Sequence, residues 1–160
     1  MSLFADDRFQ WRETYFVLFR SPDRPQADAV ASVLRQGAER YEVTNIQADA
    51  TGKFEALTLF SPDDCSAMDV IFVSGDEVAE QVNELSGEIA KSTLTDETRK
   101  KLGRLQQCDA RFDVYHFERI EGHPQDDEEF LDPGSLIIVL KRLTRLCHGV
   151  SVDPQSGTLM

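Results

Sequence analysis

The clearest pattern along the chain is an extended run that is apolar on both of its sides. In residues 14–20 (TYFVLFR), Tyr15, Val17 and Phe19 alternate with Phe16 and Leu18. A strand with that alternation has apolar side chains on each face and belongs inside a sheet that is covered twice. Ser21, Pro22 and Asp23 break the run, and Pro25 suits the first turn of a helix. That helix gathers Ala27, Val30, Ala31, Val33 and Leu34 on one side and ends near Gly37. Residues 41–48 and 53–60 read as a hairpin joined by Asp49, Ala50, Thr51 and Gly52, where glycine is free to take positive φ. The short run 70–73 (VIFV) is wholly apolar and reads as another buried strand.

Helical spacing follows. Ser74 with Glu77 has the spacing of a capping box. Beyond it, Val78, Val82, Leu85 and Ile89 form a narrow apolar stripe, and Glu77, Glu80, Glu84 and Glu88 form an acidic one. A further helix begins at Thr95, with Leu102 and Leu105 inward and Lys100 and Arg104 outward. Residues 111–118 (RFDVYHFE) read as a strand, and 121–132 as a loop loaded with Gly, Pro and carboxylates. Asp132 caps a final helix with Pro133 at its first position, and Gly149 ends it. Residues 150–152 and 158–160 form a last short hairpin.

These elements predict an α+β fold: a mixed sheet with parallel and antiparallel contacts, packed by three to four helices. Its central strands include 15–19, 70–73 and 112–117. Segments 14–60 and 111–160 repeat the order strand, helix, strand, turn, strand, around a strand–helix–helix insert at 68–107. That order is similar to half of a ferredoxin-like fold, and the resemblance implies a duplicated β-α-β-β unit. A length of 160 residues fits a single domain spanning 1–160.

Composition narrows the function classes. With 41% hydrophobic residues and ten Phe, the chain carries enough apolar surface for a core. No window approaches the ~20 apolar residues of a membrane span, and Asp6, Asp7, Arg8 and Glu13 are incompatible with a secretory leader. Cys65, Cys108 and Cys147 are odd in number and far apart, which predicts free thiols and a cytoplasmic setting rather than disulfides or a zinc site. A net charge of −12 argues against nucleic acid and against anionic membranes as partners.

Candidate chemistry is sparse. His116 and Glu118 share one face of a strand and are the best candidates for holding a ligand. His123 precedes a proline in the acidic loop, and His148 closes the final helix, where a cation suits the dipole. Asp126, Asp127, Glu128 and Glu129 are consecutive, and carboxylates at that spacing diverge instead of converging on a cation. Asp63, Asp64 and Cys65 place a thiol among carboxylates, the opposite of what activates it. Phosphate loops and nucleophile elbows have no counterpart, and Gly75 is followed by Asp76 and Glu77, which repel phosphate. No residue is therefore assigned a catalytic, cofactor or metal role.

The final helix carries the remaining signal. Leu136, Leu140, Leu143 and Cys147 centre its apolar face, flanked by Ile137, Val139 and Leu146. Ile138, Lys141, Arg142 and Arg145 lie on the outer face, a basic patch in an acidic chain. The expectation is a non-enzymatic protein-interaction or regulatory module that self-associates as a homodimer through this patch, without a cofactor. The acidic stripe of Glu80, Glu84 and Glu88 is its expected counterpart. The alternative is a small-ligand domain or enzyme assembled from remote residues: His116, Glu118, Tyr115 and the Asp63–Cys65 turn.

Overall fold

A computed structural model describes residues 3–36, 40–91, 95–120, 134–154 and 158–159. The chain folds as an α+β protein. Strand β1 (Phe9–Phe19) leads through a 3-10 turn at Ser21–Asp23 into α1 (Ala27–Arg35). The hairpin β2 (Glu42–Ala48) and β3 (Phe54–Ser61) follows, then β4 (Ser66–Ser74). Helices α2 (Asp76–Ala90) and α3 (Asp96–Leu105) precede β5 (Ala110–Arg119). Helix α4 (Gly134–Cys147) and the short strands β6 (Val150–Asp153) and β7 (Thr158–Leu159) complete the order. Gly37, His123, the run 126–129, Asp132, Pro133 and residues 155–157 lie outside the described residues.

The seven strands form one sheet in the order β2-β3-β4-β5-β1-β6-β7. Every ladder is antiparallel, which corrects the expected mixture of directions. The helical crossovers explain why no parallel pair is needed. A single helix returns the chain to the starting end, so β2 runs with β1 and β6 runs with β5. Three strands, β3, β4 and β5, lie between β1 and β2, whereas β1 alone separates β5 from β6. The β5-α4-β6 unit is therefore a split β-α-β arrangement. The α2–α3 pair makes the trip twice, so β5 lands antiparallel beside β4. The order β-α-β-β does occur twice, but β6 adjoins β1 while β2 lies at the far edge. The ferredoxin-like order is not confirmed.

Both faces are covered, as the doubly apolar β1 required. On one, α1 and α4 bury Val30, Leu34, Val139 and Leu143 against Val17, Phe19, Val70, Phe112 and Val114. On the other, α2 and α3 bury Val78, Val82, Leu102 and Leu105 with Leu18, Val150 and Val152. Thr95 caps α3, accepting from the Thr98 amide at 3.1 Å. The Ser74–Glu77 box does not form: Ser74 is the last residue of β4, and Gly75 (φ 117°) is the N-cap of α2 with no side-chain cap. At the end of α4 it is His148, not Gly149, that takes the left-handed conformation (φ 55°). Gly149 is required for another reason, since a Cβ there would lie 2.4 Å from the Leu18 carbonyl oxygen.

The β2–β3 turn is built by Asp49. One carboxylate oxygen accepts from the Thr51 amide (2.8 Å), the Thr51 hydroxyl (2.7 Å) and the Lys53 amide (3.0 Å). The other lies 3.2 Å from Arg24. The Thr51 hydroxyl, the backbone amides and the Arg24 charge together hold this carboxyl below its usual range. A lowered folded-state pKa contributes stability that is present above the ordinary carboxylate range and is lost as pH falls through the folded value. Asp49→Asn is therefore expected to lower the denaturation midpoint at neutral pH. That difference from wild type should shrink as pH drops below the ordinary carboxylate range in acid titrations followed by circular dichroism. A difference that stays constant with pH would show that the charge is not what orders the turn.

Candidate functional site

The cationic side chains of α4 do not all face the same way. Arg142 turns toward α1, donating to the Leu34 carbonyl at 3.4 Å and standing over the Tyr41 ring. Ile138 is half-buried. Lys141 and Arg145 point into a cleft of about 710 Å³ together with Ile137, Leu140, Thr144 and His148. The patch read from the sequence thus divides: two of its residues enter the cleft, and Ile137, 36% exposed, supplies the apolar contact in place of Ile138.

The cleft opens at the end of the sheet where β1 leaves and β5 and β6 enter, because Phe19 pairs with Ala110 and Leu18 with Val150. Helices α3 and α4, from opposite faces, both terminate there. Arg20 and Asp23 reach it from the β1 exit, Arg104, Gln107 and Cys108 from α3, and Gly149 and Ser151 from β6 and its approach. Asp109 fixes the β1 exit, accepting from the Ser21 amide at 2.7 Å and the Ser21 hydroxyl at 2.8 Å. The close approach of Gly149 to Leu18 brings the end of α4 onto the same strand.

Arg20, Arg104, Lys141 and Arg145 are all exposed, and among the described residues none forms an ion pair. Elsewhere Arg8, Arg12, Arg24, Arg40, Lys101 and Arg111 each meet a carboxylate, while Arg35, Lys53, Lys91, Arg99, Lys100 and Arg119, scattered over the surface, form no ion pair among the described residues. Complementing the dipoles of α3 and α4 accounts for Arg104 and Arg145, which stand in the last turns. It does not account for Arg20 or Lys141. The Cys108 thiol at the cleft wall is pushed up to about 11, chiefly by burial, so at neutral pH it is protonated and not a nucleophile.

The other candidates are arranged differently. His116 lies between Met68 of β4 and Glu13 of β1, 3% exposed. Its Nδ1 is 3.2 Å from Glu13 Oε1, and its Nε2 has no hydrogen-bond partner among the described residues. Glu118 Oε2 is 2.9 Å from Arg12, an ion pair in distance without hydrogen-bond alignment. Ser66, opposite Glu118, meets Ser135 of α4 at 3.0 Å. Tyr115 faces the other side of the sheet, where its hydroxyl donates to Asp113. Asp63 pairs with Arg40, and the Cys65 carbonyl accepts from the Arg119 amide. The structure therefore places His116 and Glu118 on one face of β5, each beside its own partner from β1, and leaves Tyr115 and the Asp63–Cys65 turn apart from them. Among the described residues no group of three or more His, Cys, Asp or Glu is placed to hold a metal ion.

Sequence reasoning missed Arg20, Asp23, Arg104 and Ile137 as members of one site. For Ile137 a signal existed: residues 137, 141 and 145 are spaced i, i+4, i+8 and share one helix face. For Arg20 and Arg104 there was none, because only the meeting of the β1 exit with the end of α3 makes them neighbours. All three cysteines are free. No helix among the described residues is long and apolar enough to cross a membrane. The chain matches no protein-family model, no curated protein and no solved structure with which it was compared.

Proposed function

We propose that this chain is a non-enzymatic binding module that holds an anionic partner in the cleft between α3 and α4. One observation carries the reading: four cations without ion pairs converge on one concavity in a chain of net charge −12. Arg104 and Arg145 complement helix ends, but Arg20 and Lys141 do not, so the cleft keeps positive charge open to an anion from outside the molecule. The cleft brings charge and an apolar wall, and its Cys108 thiol is held protonated, which favours capture over turnover. A cytoplasmic setting is part of the proposal, on the strength of three free cysteines.

Charge reversal tests it. Each charge-assisted hydrogen bond is worth about 1.5–3 kcal/mol, so losing two weakens binding at least roughly a hundred-fold. Arg104→Glu/Arg145→Glu is expected to lose that much affinity for inorganic pyrophosphate in titration calorimetry. Arg99→Glu/Lys100→Glu makes the same charge change on the exposed side of α3, outside the cleft lining. That control should change affinity by less than about threefold in 0.1 M salt, where distant charges are screened. Equal losses in the two variants would mean that net charge, not the cleft, governs binding.

A second reading, self-association, is favoured by the exposed acidic stripe of Glu80, Glu84 and Glu88 on α2, none of which forms an ion pair among the described residues. Such a homodimer would set this stripe against Lys141 and Arg145. Salt-sensitive dimerisation in sedimentation, abolished by Arg145→Glu, would support it over capture of a small anion.

A further inference from the structure

We infer that the cleft takes an organic diphosphate carrying hydroxyl groups and an apolar ring, the chemistry of a nucleoside diphosphate. The inference rests on the anion-binding reading and names its ligand class. Direction of approach comes first. Cations line the cleft from three elements, Arg20 from the β1 exit, Arg104 from α3, Lys141 and Arg145 from α4. A carboxylate offers two oxygens in one plane, whereas phosphate oxygens project in three directions and suit guanidinium forks on several sides.

Charge and size narrow the class. Four cations outweigh the carboxylate of Asp23 and the negative ends of α3 and α4, which leaves a net positive charge suited to a polyanion. About 710 Å³ is far more than a diphosphate fills and falls in the range of drug-sized organic ligands. Asp23 is half-buried and, among the described residues, forms no ion pair. A carboxylate in an anion cleft repels phosphate and instead accepts hydrogen bonds, so it marks where hydroxyl groups of the ligand sit. Ile137 and Leu140 form the remaining wall. Ile137 precedes Arg145 by two turns of helix, about 12 Å, which is room for a ring beyond the phosphates.

Titration of the full chain with four probes tests this: inorganic pyrophosphate, ADP, adenosine and citrate. ADP is expected to bind at least tenfold more tightly than pyrophosphate, pyrophosphate more tightly than citrate, and adenosine not measurably. Ile137→Asn, an uncharged change at an exposed position checked for folding by circular dichroism, should remove the advantage of ADP while leaving pyrophosphate within about threefold of wild type. Arg104→Glu/Arg145→Glu should lose both. If citrate matches pyrophosphate, or ADP gains nothing, or the gain survives Ile137→Asn, the diphosphate assignment fails while anion binding stands. If no polyanion binds, the anion-binding reading fails with it.

Discussion

Replacing Phe112 with alanine is expected to cost about 3–5 kcal/mol of stability, the largest effect of any single apolar truncation in this fold. Phe112 is fully buried on β5, with its ring 4.6 Å from Phe19 of β1 and 5.4 Å, edge on, from Phe54 of β3. It therefore joins the central pair β1–β5 to the hairpin side of the sheet beneath α1 and α4. Deleting the ring removes transfer free energy and leaves a cavity that rigid strands on both sides cannot collapse. For a chain of this length each kcal/mol lowers the melting temperature by roughly 2–4 °C, so a drop of roughly 6–20 °C is expected by differential scanning calorimetry. Phe112→Leu keeps most of the volume and should recover more than half of the loss. A drop under about 2 °C for the alanine variant would mean that the core does not run through this residue.

The legibility of the fold followed the range of the interactions involved. Residues 14–19 could be read as an interior strand because both faces are apolar within six positions. The extension of β1 back to Phe9 could not, since that stretch depends on pairing with β5 across an irregularity between Trp11 and Glu13. Residues 70–73 were read, but β4 begins at Ser66. Its earlier half carries Ser66 and Asp69, which look like loop residues and are buried because their partners come from far along the chain. Asp69 accepts from the Thr58 hydroxyl at 2.8 Å and from the Leu3 amide at 2.9 Å. The helices were readable because a stripe at 3.6-residue spacing is local information. Sheet order was not, because the direction of a strand after a crossover says nothing about how many strands it skips. The cleft shares that difficulty: one wall lies on α4 and could be projected from sequence, and the other two arrive only with the topology.

The same limit hid the second large effect, expected on the opposite face of β5. Arg111, Asp113 and Tyr115 alternate with Phe112 and Val114, and nothing local in that alternation says what covers the polar side. Yet Arg111 and Asp113 are both buried. Arg111 Nε donates to Asp113 Oδ1 at 2.6 Å, its guanidinium reaches Gln81 and Glu77 on α2, and it stacks 4.7 Å over the Phe16 ring. Burial raises the Asp113 carboxyl above its usual range, with Arg111 opposing that rise. Arg111→Ala leaves this carboxylate buried without its cation, a change that costs about 3–5 kcal/mol in comparable pairs. The sign with pH follows from the raised folded-state value. Without Arg111 it rises further, so the folded state binds a proton that the unfolded chain still releases. Stability of the variant should then recover as pH falls from neutral toward the ordinary carboxylate range. In an Asp113→Asn background no charge is stranded, so the cost of Arg111→Ala should be smaller and flat with pH. Urea denaturation of the four proteins at neutral pH and near that range measures the coupling directly. Equal costs in both backgrounds would assign the role of Arg111 to its packing on Phe16 alone.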